Sequence, residues 1–130
     1  MSNESNHDRI ASFCSIWPQV WQQQNLQLML DYFTDDIVWQ DIPVETRSGK
    51  QACADFMMPF MTKAKYFRME PRNIVANGDL VMLERVDYLE FKGVDTVLPV
   101  VAVFEMTDGK IRRWRDYFDL NMFERQLAGK

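Results

Sequence analysis

The sequence predicts an α+β fold, with helices first, then an antiparallel meander, then one closing helix. Three observations carry this. Before about residue 65 the apolar residues recur at steps of three and four, the period of a helix face, and after Phe67 they alternate, the period of a strand. The alternating stretches are separated by Asn77-Gly78 and Asp108-Gly109, dipeptides that suit the positive φ angles of tight hairpin turns. Helices followed by a run of strands predict a curved sheet wrapped against helices.

The elements follow in order. Met1 to His7 is polar and is expected to fray. From Asp8 to Gln24, Ile10, Phe13, Cys14, Trp17, Val20 and Trp21 form an apolar stripe, and Pro18 predicts a kink within it. Asn25 is a candidate N-cap for a short helix over 26–32. Asp35-Asp36 predicts a turn into a strand over 37–42, stopped by Pro43. A further helix is expected from Gly49 to about Lys65, with Ala52, Phe56, Pro59/Phe60 and Ala64 near one stripe and Pro59 as its weak point. Four strands are predicted over 67–75, 80–91, 97–106 and 110–118, with Lys92-Gly93 turning between the second and third. A helix over 120–127 ends the chain.

The 130 residues are the size of one domain, taken here as 1–130. Nine Met, nine Phe, four Trp and four Tyr make up a fifth of the chain. These residues fill ordinary cores, and they also suit irregular apolar cavities. Net charge is −4 with no basic face, so no nucleic-acid partner is expected. The densest basic cluster, Arg112-Arg113 with Arg115, alternates with Trp114 and Asp116 and reads as the outer face of a strand. Cys14 and Cys53 sit among apolar residues and read as small hydrophobes rather than a disulfide pair. No stretch approaches the roughly 20 apolar residues of a membrane span. A soluble, cytoplasmic protein without a membrane partner is the expectation.

Strand pleating exposes an anomaly. On the second predicted strand, Val81, Leu83, Arg85, Asp87, Leu89 and Phe91 share one face. Arg85 and Asp87 therefore sit on the greasier side, where an unpaired charge costs several kcal/mol. The last strand repeats this with Trp114, Asp116 and Phe118, and the first with Ile37, Trp39 and Asp41. Each case has a plain alternative. Arg85–Asp87 can be a structural ion pair, Asp116 can cap the helix near Leu120, and Asp41 can form an Asx-type turn before Pro43. Taken together, one arginine cannot easily neutralise three carboxylates, so a shared proton is the natural outcome. The sole histidine, His7, lies in the polar terminus, which argues against Ser/His/Asp, Cys–His and His-based zinc chemistry. Arg85 argues against a metal held by Asp41, Asp87 and Asp116. Carboxylate acid/base catalysis remains, inside a pocket walled by Leu83, Leu89, Trp114 and Phe118.

The runs Glu84-Arg85-Val86-Asp87 and Trp114-Arg115-Asp116-Tyr117-Phe118-Asp119 resemble the signature stretches of the limonene-1,2-epoxide hydrolase family. Trp39-Gln40-Asp41-Ile42-Pro43 matches a third region in order and spacing, and the likeness runs from about Ile10 to Leu127. The resemblance implies a cone-shaped, nuclear-transport-factor-2-like/SnoaL-like fold, in which helices close a deep pocket over a bent mixed sheet. It implies one-step addition of water to an apolar, terpenoid-like epoxide without cofactor or metal. Asp116 would be the general base, Asp87 the protonated acid and Arg85 the bridge between them. The family's water-holding tyrosine and asparagine correspond to Trp39 and Asp41. Trp39 can donate a hydrogen bond but cannot accept one, and Asp41 lacks the amide's donor when ionised. The same scaffold also supports isomerases, polyketide or polyether cyclases, and non-catalytic binding modules. A homodimer is expected, using the outer face that carries Arg113, Arg115 and Tyr117.

Overall fold

The computed structural model describes residues 5–129. Its order is α1 (Asn6–Ser15), α2 (Trp17–Gln23), α3 (Gln27–Leu30), β1 (Phe33–Asp41), β2 (Glu45–Ser48), α4 (Lys50–Lys63), β3 (Ala64–Asn77), β4 (Leu80–Phe91), β5 (Val94–Thr107), β6 (Lys110–Tyr117) and α5 (Leu120–Ala128). The strands form one curved, open, six-stranded sheet in the order β2-β1-β6-β5-β4-β3. Every neighbouring pair is antiparallel except β1 with β6, so the sheet is mixed, as the resemblance implied. Helices α1 and α2 pack on β3, while α4 packs on β1, β2 and β3. The cavity lies between these helices and the sheet.

Local sequence explains most of the architecture, including where it departs from expectation. The first helix begins at Asn6, inside the segment expected to fray, because the Ser5 hydroxyl accepts from the Asp8 amide at 3.1 Å as an N-cap. Residues 1–4 of that expectation lie outside the described residues. The single kinked helix is in fact two. Pro18 has no N–H to donate to the turn before it, so α1 ends, and Pro18 sits in the first turn of α2, where no donor is needed. Asn25 is not the cap of the next helix: it accepts from the Gln27 amide at 3.1 Å, but Leu26 takes the cap position without a side-chain cap bond, and that helix is only one turn long.

Asp35-Asp36 is not a turn. β1 already runs from Phe33, and the two aspartates occupy an exposed irregularity in its register with β6. The buried stripe of α4 is Cys53, Met57 and Met61, one position round from the predicted one, with Phe56 and Phe60 half-buried beside it. All four meander strands are present, and β3 and β5 run longer than predicted. Lys92-Gly93 and Asp108-Gly109 both take two positive φ angles, the signature of a type I′ turn. At the other hairpin Asn77 still pairs with Leu80, so the two turn residues are Gly78 and Asp79, and positive φ falls on Gly78 alone.

The core is strongly aromatic. Phe13 packs edge-on to Trp17, Phe104 and Trp114, and Trp17 packs edge-on to Phe67. Such edge-to-face contacts fix ring positions more tightly than aliphatic packing does. Cys14 and Cys53 are free and buried, and burial pushes their thiols up to about 12 and about 11. Both therefore behave as the small hydrophobes the sequence suggested. Among the described residues, no helix is long and apolar enough to cross a membrane.

Candidate active site

The three charged residues expected in the pocket meet there. Arg85 is 2% exposed, Asp87 6% and Asp116 4%. β4 places Arg85 and Asp87 on its inward face between Leu83 and Leu89, and β6 places Asp116 inward beyond Trp114. The guanidinium bridges both carboxylates. Arg85 Nε and Nη2 donate to Asp87 Oδ1 and Oδ2 at 2.7 and 3.1 Å. Nη1 and Nη2 donate to Asp116 Oδ1 and Oδ2, both at 2.9 Å. Each contact is bidentate, the geometry for which a planar guanidinium is suited.

The carboxylates are not equivalent. Asp116 accepts a third bond, from Trp114 Nε1 at 2.6 Å, so it has three donors where Asp87 has two. A carboxylate has about four lone-pair sites, which leaves roughly one on Asp116 for a further partner. Burial raises the Asp87 carboxyl above its usual range; Arg85 pulls it back only in part, and Asp116 and Asp41 push it further up. Burial also works against the charge on Arg85, but the two carboxylates outweigh it and hold the group well above its ordinary value. Burial thus favours the protonated form of Asp87, as it also does for Asp41.

Asp41 and Trp39 lie where the sequence put them. In the parallel β1–β6 register Asp41 pairs with Asp116 and Trp39 with Trp114. The two indoles stack with centroids 4.2 Å apart and an interplanar angle of 1°. The turn before β2 is closed by the Asp41 main-chain oxygen, which accepts from the Val44 amide at 2.9 Å, while the Asp41 side chain accepts from Arg47 Nη2 at 2.8 Å instead of forming the Asx-type turn. Burial, then repulsion from Asp116, raises the Asp41 carboxyl, and Arg47 offsets this in part. The cap of α5 is Asp119, which accepts from the Met122 amide at 3.1 Å, so Asp116 is free of that duty.

The cavity encloses about 300 Å³. Its wall is almost wholly apolar, with the charged residues Asp41, Arg47, Arg85, Asp87 and Asp116 set into it. Leu89, Trp114 and Phe118 line it as expected. Leu83 does not: it is fully buried in the hydrophobic core. Phe118 lies just past the end of β6 but still faces the cavity. Leu120 and Phe123 of α5 add to the wall, with Phe123 against Phe91.

Arg47 is the residue the sequence reading missed. It is 4% exposed, and its guanidinium carbon lies 3.5 Å from the Phe56 ring centre. Its strand, Glu-Thr-Arg-Ser, is four residues long with no apolar alternation, so no strand signal was available. The available hint was arithmetical: three inward carboxylates and one inward cation left room for a second. Among the described residues, no group of three His, Cys, Asp or Glu side chains is arranged to hold a metal ion.

Comparison with known proteins identifies the family and the fold. Residues 17–114 match the model of the SnoaL-like domain. The chain is 32% identical over 96 residues to the epoxide hydrolase EphG of Mycobacterium tuberculosis; the match covers 73% of this chain and spans 64% of that relative's length. The solved structure of an LEH-like epoxide hydrolase of M. tuberculosis superposes with a TM-score of 0.78 at 26% identity, covering 95% of this chain and 90% of that one. A proposed polyketide cyclase of Xanthomonas campestris pv. campestris superposes with a TM-score of 0.72 at 25% identity, covering 95% and 99%. The chain belongs to the SnoaL-like domain family and has the nuclear-transport-factor-2-like fold of its structural neighbours.

Proposed function

We propose that the protein is an epoxide hydrolase that adds water to a small, largely apolar epoxide in one step, without cofactor or metal. The observation that carries this reading is the Arg85 bridge between an acid and a base. Asp87, raised by burial, holds a proton to give, while Asp116 has an acceptor site left for water. Asp116 takes a proton from the water as its oxygen attacks a ring carbon. The carbon–oxygen bond of the epoxide breaks, and Asp87 protonates the departing oxygen to give a vicinal diol. A proton transfer from Asp116 back to Asp87 restores the starting state. Asp41, beside Asp116 in register, is the second acceptor for the water, and Trp39, stacked on Trp114, forms the wall next to it. Similarity to EphG and to the LEH-like structure supports the same assignment.

Single turnover in water enriched in oxygen-18 tests it. The label is expected in the diol and absent from Asp116, Asp87 and Asp41. Label on any of these carboxylates after one turnover would mean a covalent ester, and the direct-addition mechanism would be wrong.

One observation favours a second reading. Asp41 is a third buried carboxylate with a raised pKa beside the base, more acid than simple hydrolysis requires. An isomerase or a polyketide or polyether cyclase of the kind found among SnoaL-like proteins could use it to protonate a carbonyl, or an epoxide opened by an internal hydroxyl. Cyclic ether from a hydroxy-epoxide, with no diol from simple epoxides, would select that reading.

The protein is further taken to act as a homodimer through the sheet face opposite the helices. Met82, Val97, Val101 and Tyr117 are exposed there on three adjacent strands. Sedimentation is expected to give twice the chain mass of 15.4 kDa. A monomer that turns over at full rate would remove the dimer from the account.

A further inference from the structure

Among the described residues, the charged side chains that line the cavity are the carboxyls of Asp41, Asp87 and Asp116 and the guanidiniums of Arg47 and Arg85. With every carboxyl ionised the set carries one net negative charge, and a single proton makes it neutral. Net charge in an apolar wall is costly, so the one-proton state is favoured over states with none or two. With that proton on Asp87, as the mechanism above requires, Asp41 and Asp116 are both ionised. Without Arg47 the neutral state needs two protons, and one of these two carboxylates is lost as an acceptor.

Arg47 stands where it decides this count. Its Nη2 donates to Asp41 Oδ2 at 2.8 Å, and Asp41 pairs with Asp116 across β1 and β6. The buried guanidinium lies 3.5 Å from the Phe56 ring centre and 4.6 Å from that of Trp39, so water screens its charge little. The other charges around Asp41 pull both ways. β6 brings Asp116, and β4 brings Asp87 and Arg85, whose guanidinium is already shared by those two carboxylates. β2 also brings Glu45, 3.8 Å from Arg47 Nε but exposed and screened by solvent. α4, packed on β1 and β2, brings Cys53, whose thiol is raised to about 11 and stays neutral, and Lys50, which lies 3.5 Å from the exposed Asp35. Of these groups, Arg47 is the one hydrogen-bonded to the Asp41 carboxyl.

We propose that Arg47 is a positioning residue that keeps Asp41 ionised beside Asp116, so that the site works with one proton. This deepens the epoxide hydrolase reading and rests on it for the water and its attack. Ionised, Asp41 accepts one hydrogen of the water while Asp116 accepts the other, which leaves a lone pair of the water free for the ring carbon. Protonated, Asp41 has an O–H of its own to place, and donation to the water oxygen occupies the lone pair that must attack. Burial, then Asp116, pushes the Asp41 carboxyl up, and Arg47 opposes both by its charge and its hydrogen bond. Removal of Arg47 therefore carries protonation of Asp41 to higher pH, and the acid limb of the reaction with it.

The test has one arm without substrate and one with it. The first follows the side-chain carboxyl carbons of aspartate-labelled protein by NMR against pH, with Asp41 assigned by its absence from Asp41→Asn. In wild type Asp41 is expected to be ionised at neutral pH. In Arg47→Met its proton is expected to be held about 10-fold or more tightly than in wild type, the lower end for loss of an adjacent opposite charge. Arg47→Lys, which keeps a cation there, should bring it back towards wild type. The second arm is kcat/KM against pH for a simple alicyclic epoxide. The acid limb should move up with the carboxyl in Arg47→Met, and the same substitution should leave it in place in an Asp41→Asn background. A purely structural role for Arg47 would lower the whole profile without moving the limb. Asp41 protonated at neutral pH in wild type, a result that needs no Arg47 variant to fold, overturns the proposal. So does a carboxyl or an acid limb that stays put in Arg47→Met. A carboxyl that moves while no epoxide is turned over at any pH supports the role of Arg47 and sinks the hydrolase reading alone.

Discussion

Asp116→Asn is expected to reduce kcat/KM for epoxide opening by about 10²–10⁴-fold, the usual weight of one positioned general base. The amide keeps the shape of the carboxylate and one oxygen to accept from Trp114 Nε1, so the fold should survive. What it loses is the negative charge and the site that takes the proton from water. Asp87→Asn should cost a similar factor for the opposite reason, since the amide has no acidic proton to give the opening ring. The two variants differ in their pH profiles. Asp87 is raised by burial, and the wild-type rate should fall as pH rises through that raised value, because the acid is then ionised. That alkaline limb should persist in Asp116→Asn and vanish in Asp87→Asn. The measurement is kcat/KM against pH for all three proteins. Activity of Asp116→Asn within twofold of wild type would remove Asp116 as the base.

These residues were legible in the sequence for a definite reason. Period-two alternation on β4 and β6 is regular wherever both neighbours pair, so Arg85, Asp87 and Asp116 stood out as charges on an apolar face. Trp39 and Asp41 were legible for the same reason, once β1 reaches its regular register with β6. Legibility failed where local pattern is weak or overridden. The α1–α2 break depends on how one proline is used, as kink or as first-turn residue, and the sequence permits both. β2 is a polar edge strand whose only buried side chain is Arg47, and its charge argued for exposure. Leu83 was placed in the pocket because it shares a face with Arg85, but pleating says which side a residue faces and not how deep the cavity reaches. The hairpin at Gly78 was right in kind and wrong by one residue, since Asn77 remains in its strand.

Arg85→Leu should destabilise the fold by about 3–5 kcal/mol at neutral pH, the range for breaking a buried ion pair by removing one partner. Arg85 is buried and supplies four hydrogen bonds to Asp87 and Asp116. Without it two carboxylates face each other in an apolar wall. The pH dependence has a definite sign. A folded-state carboxyl raised above its unfolded value binds its proton more tightly in the folded protein, so stability falls as pH rises between the two values and levels off above the higher one. Asp87 and Asp41 already lie on this side in the wild type. Loss of Arg85 raises Asp87 further, so the deficit of the variant should shrink as pH falls from neutral towards the ordinary aspartate range. Chemical denaturation of both proteins at neutral and mildly acidic pH measures this, and a deficit below about 1 kcal/mol at neutral pH would be no more than a surface pair is worth. The companion triple variant, Arg85→Met with Asp87→Leu and Asp116→Asn, removes every charge of the bridge and keeps an acceptor for Trp114. Apolar replacement of buried ionic triads is often neutral or stabilising, so this protein should recover wild-type stability while losing turnover. That outcome would mean the fold has no need of the three charges and that their place in the apolar wall answers to chemistry.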